Sequence, residues 1–259
     1  IGQIEVRCEY ALLPLVTYAL HLVMAVSALF VGRKIWKDDT PNLLSICAGM
    51  VNTGYFGLPV VVLLFDTHWA GVYTFLLLGA VFFEATYGYF FAARGHFTPQ
   101  ESLRKLARLP ALYAIAAAII FNLSGFAFNT QAITYWEHFK GAYIIIGMMI
   151  IGVALSRVKR LEFGGGRFFA IVQIWQWLFW PLLALATVTF DKAVTGWFDD
   201  QVHKLLIVYA VLPPAANIAA FAAQLNLTPE KAATTVLVGT VIGLFYIPAA
   251  LWFFGFAPL

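Results

Sequence analysis

The stretch that decides the fold is an interrupted apolar run, which reads Asn52-Thr53-Gly54-Tyr55-Phe56-Gly57-Leu58-Pro59. A second interruption, farther along the chain, reads Leu212-Pro213-Pro214-Ala215-Ala216-Asn217. Each lies inside a run long enough to cross a bilayer, which takes about 20 residues. Proline removes a backbone donor and clashes with the preceding turn, while glycine adds conformational freedom. In hydrocarbon, backbone freed in this way must be satisfied by protein or must line a water-filled cavity.

The composition of the chain is that of a polytopic membrane protein. Of its 259 residues, 62% are hydrophobic and 11% are charged, whereas soluble domains average about 25% charged residues. The net charge of +3 is too small to indicate nucleic acid binding. Cys47, one of two cysteines, lies within an apolar run, which argues against a disulfide framework.

Eight apolar runs are predicted to be transmembrane helices. In chain order we label them spans A to H: 11–32, 43–65, 69–93, 109–128, 140–156, 168–190, 204–225 and 232–256. The two interruptions fall in spans B and G. Twelve of the 16 Lys and Arg residues lie in the loops that follow spans A, C, E and G, so the positive-inside rule places these loops in the cytoplasm. Both termini are then expected on the outer side, in a bacterial inner membrane.

Three helix starts carry similar signals. Thr40, Thr98 and Thr228 are each followed by proline. Threonine can cap a helix, and proline suits the first helical position. Glu101 lies three residues after Thr98, which is the spacing of a capping box. We therefore expect a threonine cap at each of these starts.

The two halves of the chain resemble each other. Gly57-Leu58-Pro59 in span B parallels Val211-Leu212-Pro213 in span G, and spans C and H that follow are also similar. Span B starts in the cytoplasm and span G starts outside, so the repeats are inverted. Spans D and E then lack upstream counterparts. We expect a ten-helix architecture of two five-helix repeats from which the first two helices are missing; the alternative is a natural eight-span protein with unequal halves.

These residues carry a resemblance to the auxin efflux carrier family, which covers nearly the whole chain from span A onward. The string Asn52-x-Gly54-x-x-Gly57-Leu58-Pro59 is its most specific element. Weaker elements are Thr86-Tyr87-Gly88-Tyr89, Gly147-x-x-x-x-Gly152-Val153-Ala154-Leu155, Pro181-Leu182 and Pro213-x-x-x-Asn217. The resemblance implies an all-α, bile-acid-symporter-like fold in which two broken helices cross at their proline breaks.

The resemblance also implies secondary transport of small organic anions, by an elevator-like movement of one helix bundle against a scaffold. On this basis residues 1–259 form a single transmembrane domain. The transport bundle comprises about 8–95 and 166–259, and a partial scaffold comprises about 98–160. Gln173 and Gln176 stand in span F where relatives commonly have a basic residue, so a salt bridge from span F to the substrate is not expected.

The two breaks are the predicted substrate site. A helix that starts at mid-membrane presents unpaired N–H groups and about half a positive charge, which suits an anion. Amide and hydroxyl side chains can add hydrogen bonds. The candidate binding residues are Asn52, Thr53, Gly54, Gly57, Pro59, Gln173, Gln176, Pro213, Pro214 and Asn217. The alternative is that these polar groups only satisfy the broken backbone.

Two titratable residues are candidates for ion coupling. Glu84 is the acidic residue deepest within a predicted span, and an intramembrane carboxylate is a functional candidate because it is costly. His21 in span A titrates in a useful range, but a packing histidine is the more common reading. The coupling ion is expected to be H⁺ or Na⁺; no cofactor or metal cluster is expected, and a homodimer in the bilayer remains open. A sodium-coupled symporter and a non-transporting ligand sensor are the alternatives.

Overall fold

The computed structural model describes residues 8–94, 166–225 and 227–256, together with scattered residues between 98 and 149. Everything described is helical or loop apart from one isolated backbone bridge. We number the α-helices of these ranges α1 to α10: Leu13–Ile35, Thr40–Gly49, Leu58–Leu64, Thr67–Phe83, Tyr89–Ala93, Gly166–Ile174, Trp180–Phe190, Asp200–Ala210, Asn217–Leu225 and Pro229–Phe253.

Four helical stretches of the described residues are long and apolar enough to cross a membrane: Glu9–Ile35, His68–Ala93, Gly166–Thr195 and Pro229–Phe253. They correspond to the predicted spans A, C, F and H. The protein is therefore an all-α, polytopic membrane protein. Spans D and E fall in the part of the chain from which only scattered residues are described.

Spans B and G differ from these four stretches because each consists of short helices separated by a break. Span B contains α2, a π-helical turn at Thr53–Gly57 and then α3, while span G contains α8 and α9. Two further π-helical turns, Glu84–Gly88 and Trp175–Phe179, lie within spans C and F, whose helices continue through them, and a third, Asp191–Thr195, follows α7. Such turns widen a helix locally and are frequent at functional sites. Of the four π-helical turns described, three carry sequence-predicted site residues, and the exception is Asp191–Thr195.

The predicted threonine caps have mixed outcomes. Thr98 and Glu101 form the expected capping box. The Thr98 backbone N–H donates to the Glu101 carboxylate at 2.9 Å, and the Thr98 hydroxyl accepts from the Glu101 N–H at 3.3 Å. The prediction is wrong for Thr40, which is already the first residue of α2. It is also wrong for Thr228, whose side chain makes no cap although it precedes α10.

The core consists of two clusters of buried apolar residues. One joins α1, α4, α7 and α8, and the other joins α2, α6, α9 and the first part of α10. The boundary between them runs through the breaks: Met50 belongs to one cluster and Val51 to the other, and Leu212 and Ala215 are divided in the same way. The broken segments therefore lie where two packed regions meet.

Candidate functional site

The first break lies between α2 and the π-helical turn. Helix α2 ends at Gly49, and Met50 is extended, with φ −113° and ψ 119°. Asn52 leaves the helical region at φ −78° and ψ 69°. Pro59, which the sequence suggested as the break itself, lies instead in the first turn of α3 and is exposed. Proline is tolerated there because the first turn of a helix does not need its N–H.

The second break comprises residues 211–216, between α8 and α9. Here Pro213 and Pro214 are inside the break and buried. Two glycines of α10 make room for them. A methyl group on Gly239 would lie 2.4 Å from the Pro214 ring, and one on Gly243 would lie 3.3 Å from Pro213. The second break is thus closed on the side of α10.

The two breaks pair with each other through their backbones, and we call the paired breaks, residues 50–52 and 211–216, the crossing. The Asn52 N–H donates to the Pro213 carbonyl at 2.8 Å, and the Ala215 N–H donates to the Met50 carbonyl at 3.0 Å. Val51 and Pro214 lie opposite each other as one antiparallel pair. This short ladder replaces helical hydrogen bonds that the breaks remove. It satisfies the requirement that backbone polar groups within a membrane find partners in the protein.

Side chains from spans A and F bind three further carbonyls of the two broken spans. The Trp180 indole donates to the Ala48 carbonyl at 2.9 Å, and the His21 ring is hydrogen-bonded to the Gly49 carbonyl. Gln176 donates to the Leu212 carbonyl at 2.5 Å. These three side chains are buried. A carbonyl that accepts from the protein in this way has less capacity to hold a cation.

The geometry of the π-helical turn depends on three of the candidate residues. Asn52 caps the turn, since its side-chain oxygen accepts from the N–H groups of Tyr55 and Phe56, both at 3.2 Å. The Thr53 carbonyl accepts from the Tyr73 hydroxyl at 3.0 Å. Gly57 allows this approach, because a methyl group there would lie 2.1 Å from the Tyr73 hydroxyl oxygen. The Asn52 side chain therefore satisfies backbone donors of the turn, whereas the Thr53 backbone is itself satisfied by Tyr73.

Gly54 has the opposite environment. A methyl group on Gly54 would have no atom within 4 Å, and the residue is partly exposed. The first break is thus packed against Tyr73 at Gly57 and open at Gly54.

Asn217 and Glu84 form the polar contact that links the second break to span C. The Asn217 amide donates to the Glu84 carboxyl at 2.5 Å. Asn217 is the first residue of α9, and Glu84 begins the π-helical turn after α4. Both side chains are partly exposed. The sequence suggested each residue separately, for binding and for coupling, but it carried no signal that the two would touch.

Gln173 and Gln176 have different partners although they lie three residues apart. Gln176 donates to the second break, as described above. Gln173 accepts from the Trp177 indole at 2.6 Å, within its own helix. Of the two, only Gln176 contacts the crossing directly. The donors Trp180 and Tyr73 were not among the sequence candidates.

The charge of the crossing follows from its side chains. Among the residues that the structure describes, the buried polar ones include amides, hydroxyls and histidines but no Lys or Arg. The described residues also contain no group of three His, Cys, Asp or Glu side chains able to hold a metal ion. Helix starts and amide donors are therefore the electropositive groups available here, and Glu84 is the acidic one.

A separate cavity of about 400 Å³ lies between α3 and α10. Its walls are apolar and include Phe56, Val60, Ile247 and Trp252, but neither Glu84 nor Asn217. The residues that line this cavity include no charged side chain to fix a charged ligand. We therefore place the candidate site at the contact between Asn217 and Glu84.

The fold and the crossing define a helical integral membrane protein with two interrupted spans. No protein-family model matches the chain. It is 25% identical over 257 residues to uncharacterized transporter MJ1031 of Methanocaldococcus jannaschii, an alignment that covers 94% of the chain and 78% of that protein. It is 24% identical over 217 residues to an uncharacterized transporter of Methanothermobacter thermautotrophicus, covering 81% of the chain and 66% of that protein.

These similarities support a membrane transporter, and they are consistent with a protein that is not an enzyme. Both relatives are archaeal.

Proposed function

We propose that the protein is a secondary carrier of small organic anions, such as a dicarboxylate or an aromatic acid, of the auxin efflux carrier type. The observation that carries the proposal is the hydrogen bond between Asn217 and Glu84 at the second break. It joins the start of a half-helix, which favours negative charge, to a carboxyl group that can take up a proton.

Proton coupling follows from the charges at this contact. An ionised Glu84 beside a bound carboxylate would repel it by about 4 kcal/mol at 4 Å with an effective dielectric constant of 20. Protonation of Glu84 removes this repulsion and gives the carboxyl group a proton to donate. Binding of the anion and protonation of Glu84 therefore favour each other, since linkage is reciprocal. Affinity for the anion should rise as pH falls.

Sodium coupling is the second candidate, and the carbonyls of the breaks are its natural ligands. Several of these carbonyls already accept hydrogen bonds from the protein: those of Ala48, Met50, Leu212 and Pro213. This observation favours the proton over sodium. A ligand sensor that does not transport would bind the anion without flux.

We further propose that the complete architecture has ten helices in two inverted repeats, and that the bundle described here moves past a scaffold as an elevator. Residues 98–160 would contribute part of that scaffold. The protein would lie in the inner membrane with its termini outside, alone or as a homodimer.

Uptake into proteoliposomes tests the proposal. The reconstituted protein is given labelled dicarboxylates and aromatic acids, with an inward proton gradient, with a sodium gradient, or with neither. We expect uptake that the proton gradient stimulates and that sodium leaves unchanged. Uptake driven by sodium alone would favour the second candidate. Saturable binding without uptake would favour the sensor, and unchanged uptake by Asn217→Ala would remove the crossing from the mechanism.

A further inference from the structure

His21 lies at the centre of the crossing and reaches both broken spans. It belongs to α1 and is fully buried. One ring nitrogen, Nδ1, is bonded to the carbonyl of Gly49, the last residue of α2. The other, Nε2, is bonded to the hydroxyl of Tyr209, in the last turn of α8. One side chain thus joins the ends of two half-helices that lie far apart in the sequence.

The partners determine where the ring proton lies. A carbonyl oxygen can only accept, so Nδ1 must carry the hydrogen that bonds to Gly49. In a neutral ring Nε2 is then an acceptor, and the Tyr209 hydroxyl must donate to it. The bond directions therefore run from Tyr209 to His21 and from His21 to Gly49. Each group has a partner of the required kind when the ring is neutral.

The packing around the ring favours the neutral form. Phe83 stacks on it at 5.0 Å between centroids, and Trp180 contacts it edge-on at 5.0 Å. An added proton on Nε2 would force the Tyr209 hydroxyl to accept instead of donate, so the hydroxyl proton would lose its described acceptor. A buried unpaired charge costs more than a cation–π contact with these rings returns.

The described titratable groups that act on the ring or on its partner Tyr209 are Tyr209 itself from α8, Tyr73 from α4 and Glu84 from the turn that follows α4. Cys47 of α2 and Tyr87 of the same turn are further titratable groups of these elements, and both are neutral at the pH of the assay. The Tyr73 and Tyr209 rings lie 6.3 Å apart. Glu84 is near enough to Tyr209 to act on it electrostatically, but its carboxyl bonds to Asn217 rather than to His21. The ring therefore has no described acidic hydrogen-bond partner that would favour its charged form.

We propose that His21 is a positioning residue: as a neutral imidazole protonated at Nδ1, it holds the end of α2 and the end of α8 in register and does not carry the coupled proton. The effect of His21 on transport rests on the proposed function, whereas the protonation state of its ring does not depend on that function. It assigns proton coupling to Glu84 alone of the two sequence candidates.

Nitrogen NMR of histidine-labelled protein in lipid nanodiscs tests the protonation state directly. The chain has five histidines, and variants of the other four assign the His21 signals by elimination, so a His21 variant need not fold. We expect an Nδ1–H neutral ring that is unchanged from about pH 5.5 to about pH 8.5, a range that brackets the ordinary histidine titration. An Nε2–H ring, or a ring that titrates in this range, would overturn the proposal.

Two substitutions test the positioning role. The His21→Asn amide can donate from the place of Nδ1 to the Gly49 carbonyl, whereas His21→Gln has its amide near the place of Nε2 and leaves that carbonyl without its donor. We expect His21→Gln to lower the uptake rate about tenfold relative to His21→Asn, equivalent to about 1.4 kcal/mol. His68→Asn, at an exposed histidine of α4, is the matched control and should transport as the wild type does.

The pH profile separates positioning from proton transfer. If His21 only positions, His21→Asn transports more slowly than the wild type but keeps the same dependence on pH. Loss of that dependence in His21→Asn would overturn the proposal. If no carboxylate is transported at all, the proposed function fails, and the NMR result still supports or overturns the neutral Nδ1–H assignment.

Discussion

The two breaks share one backbone ladder but use their asparagines differently. Asn52 at the first break caps the π-helical turn that follows it, with its side-chain oxygen. Asn217 at the second break reaches across to Glu84 in another span. The glycines near them differ in the opposite sense: Gly54 faces open space, while Gly239 is packed against Pro214. Two similar broken-helix motifs therefore have different roles: the first maintains its own backbone, and the second offers a polar contact to another span.

Substitution of the two asparagines should have the largest and most different effects at the two breaks. We expect Asn217→Ala to lower carboxylate uptake about a hundredfold, because an interaction with the substrate worth about 2.7 kcal/mol is lost. Its thermal stability should change little. Asn52→Ala should instead lower the free energy of unfolding by about 1 kcal/mol, the usual cost of a lost helix cap. Uptake assays and thermal melting measure the two effects. Equal loss of uptake in both variants, with equal stability, would contradict the division.

Glu84→Gln tests the charge at the second break. The amide keeps the size of the side chain but cannot ionise, so the pH-dependent repulsion of the substrate disappears. We expect wild-type uptake to fall about tenfold per pH unit once Glu84 is ionised, the slope for loss of one proton, and the variant to show a flat profile. Uptake measured at a series of pH values, with the same proton gradient, provides the test. A wild-type slope that persists in Glu84→Gln would assign coupling elsewhere.

Two alanine substitutions test the difference in packing between the two breaks. Gly239→Ala places a methyl group 2.4 Å from the Pro214 ring, so we expect the free energy of unfolding to fall by about 1–3 kcal/mol, the usual cost of overpacking. Gly54→Ala meets no atom within 4 Å and should change stability by less than about 0.5 kcal/mol. Thermal melting in detergent compares them. A larger loss for Gly54→Ala would mean that the first break is the closed one.

The sequence predicted the breaks because their causes are local. Proline lacks a donor at positions 213 and 214, and the glycines of the first motif lie next to the interruption. Local chemistry also predicted the capping box at Thr98, where the partner is three residues away. The exact place of the first break was wrong, because a proline in the first turn of α3 costs little and the chain breaks earlier, at Met50 and Asn52.

The partners of the breaks could not be predicted from the sequence. His21 meets Tyr209, and Trp180 meets Ala48, at separations of 188 and 132 residues. An almost uniformly apolar helix gives no periodic signal for the face that it buries, so its few polar side chains could point in several directions. The contact between Asn217 and Glu84 likewise depends on which helix faces are buried. It also depends on a π-helical turn, which has no residue-type signal in the sequence.

Residues 50–52 and 213–215 lie side by side as an antiparallel pair, and a disulfide between them tests this pairing. The native Cys8 and Cys47 are replaced by serine and alanine, and Val51→Cys is combined with Pro214→Cys. Opposite residues of such a pair have Cα atoms about 4.5–5.5 Å apart, within the range of a disulfide. We expect mild oxidation in membranes to link positions 51 and 214, detected as a joined peptide by mass spectrometry, and not to link position 51 to Leu178→Cys on the exposed face of span F. Absence of the 51–214 link in protein that still transports would contradict the account.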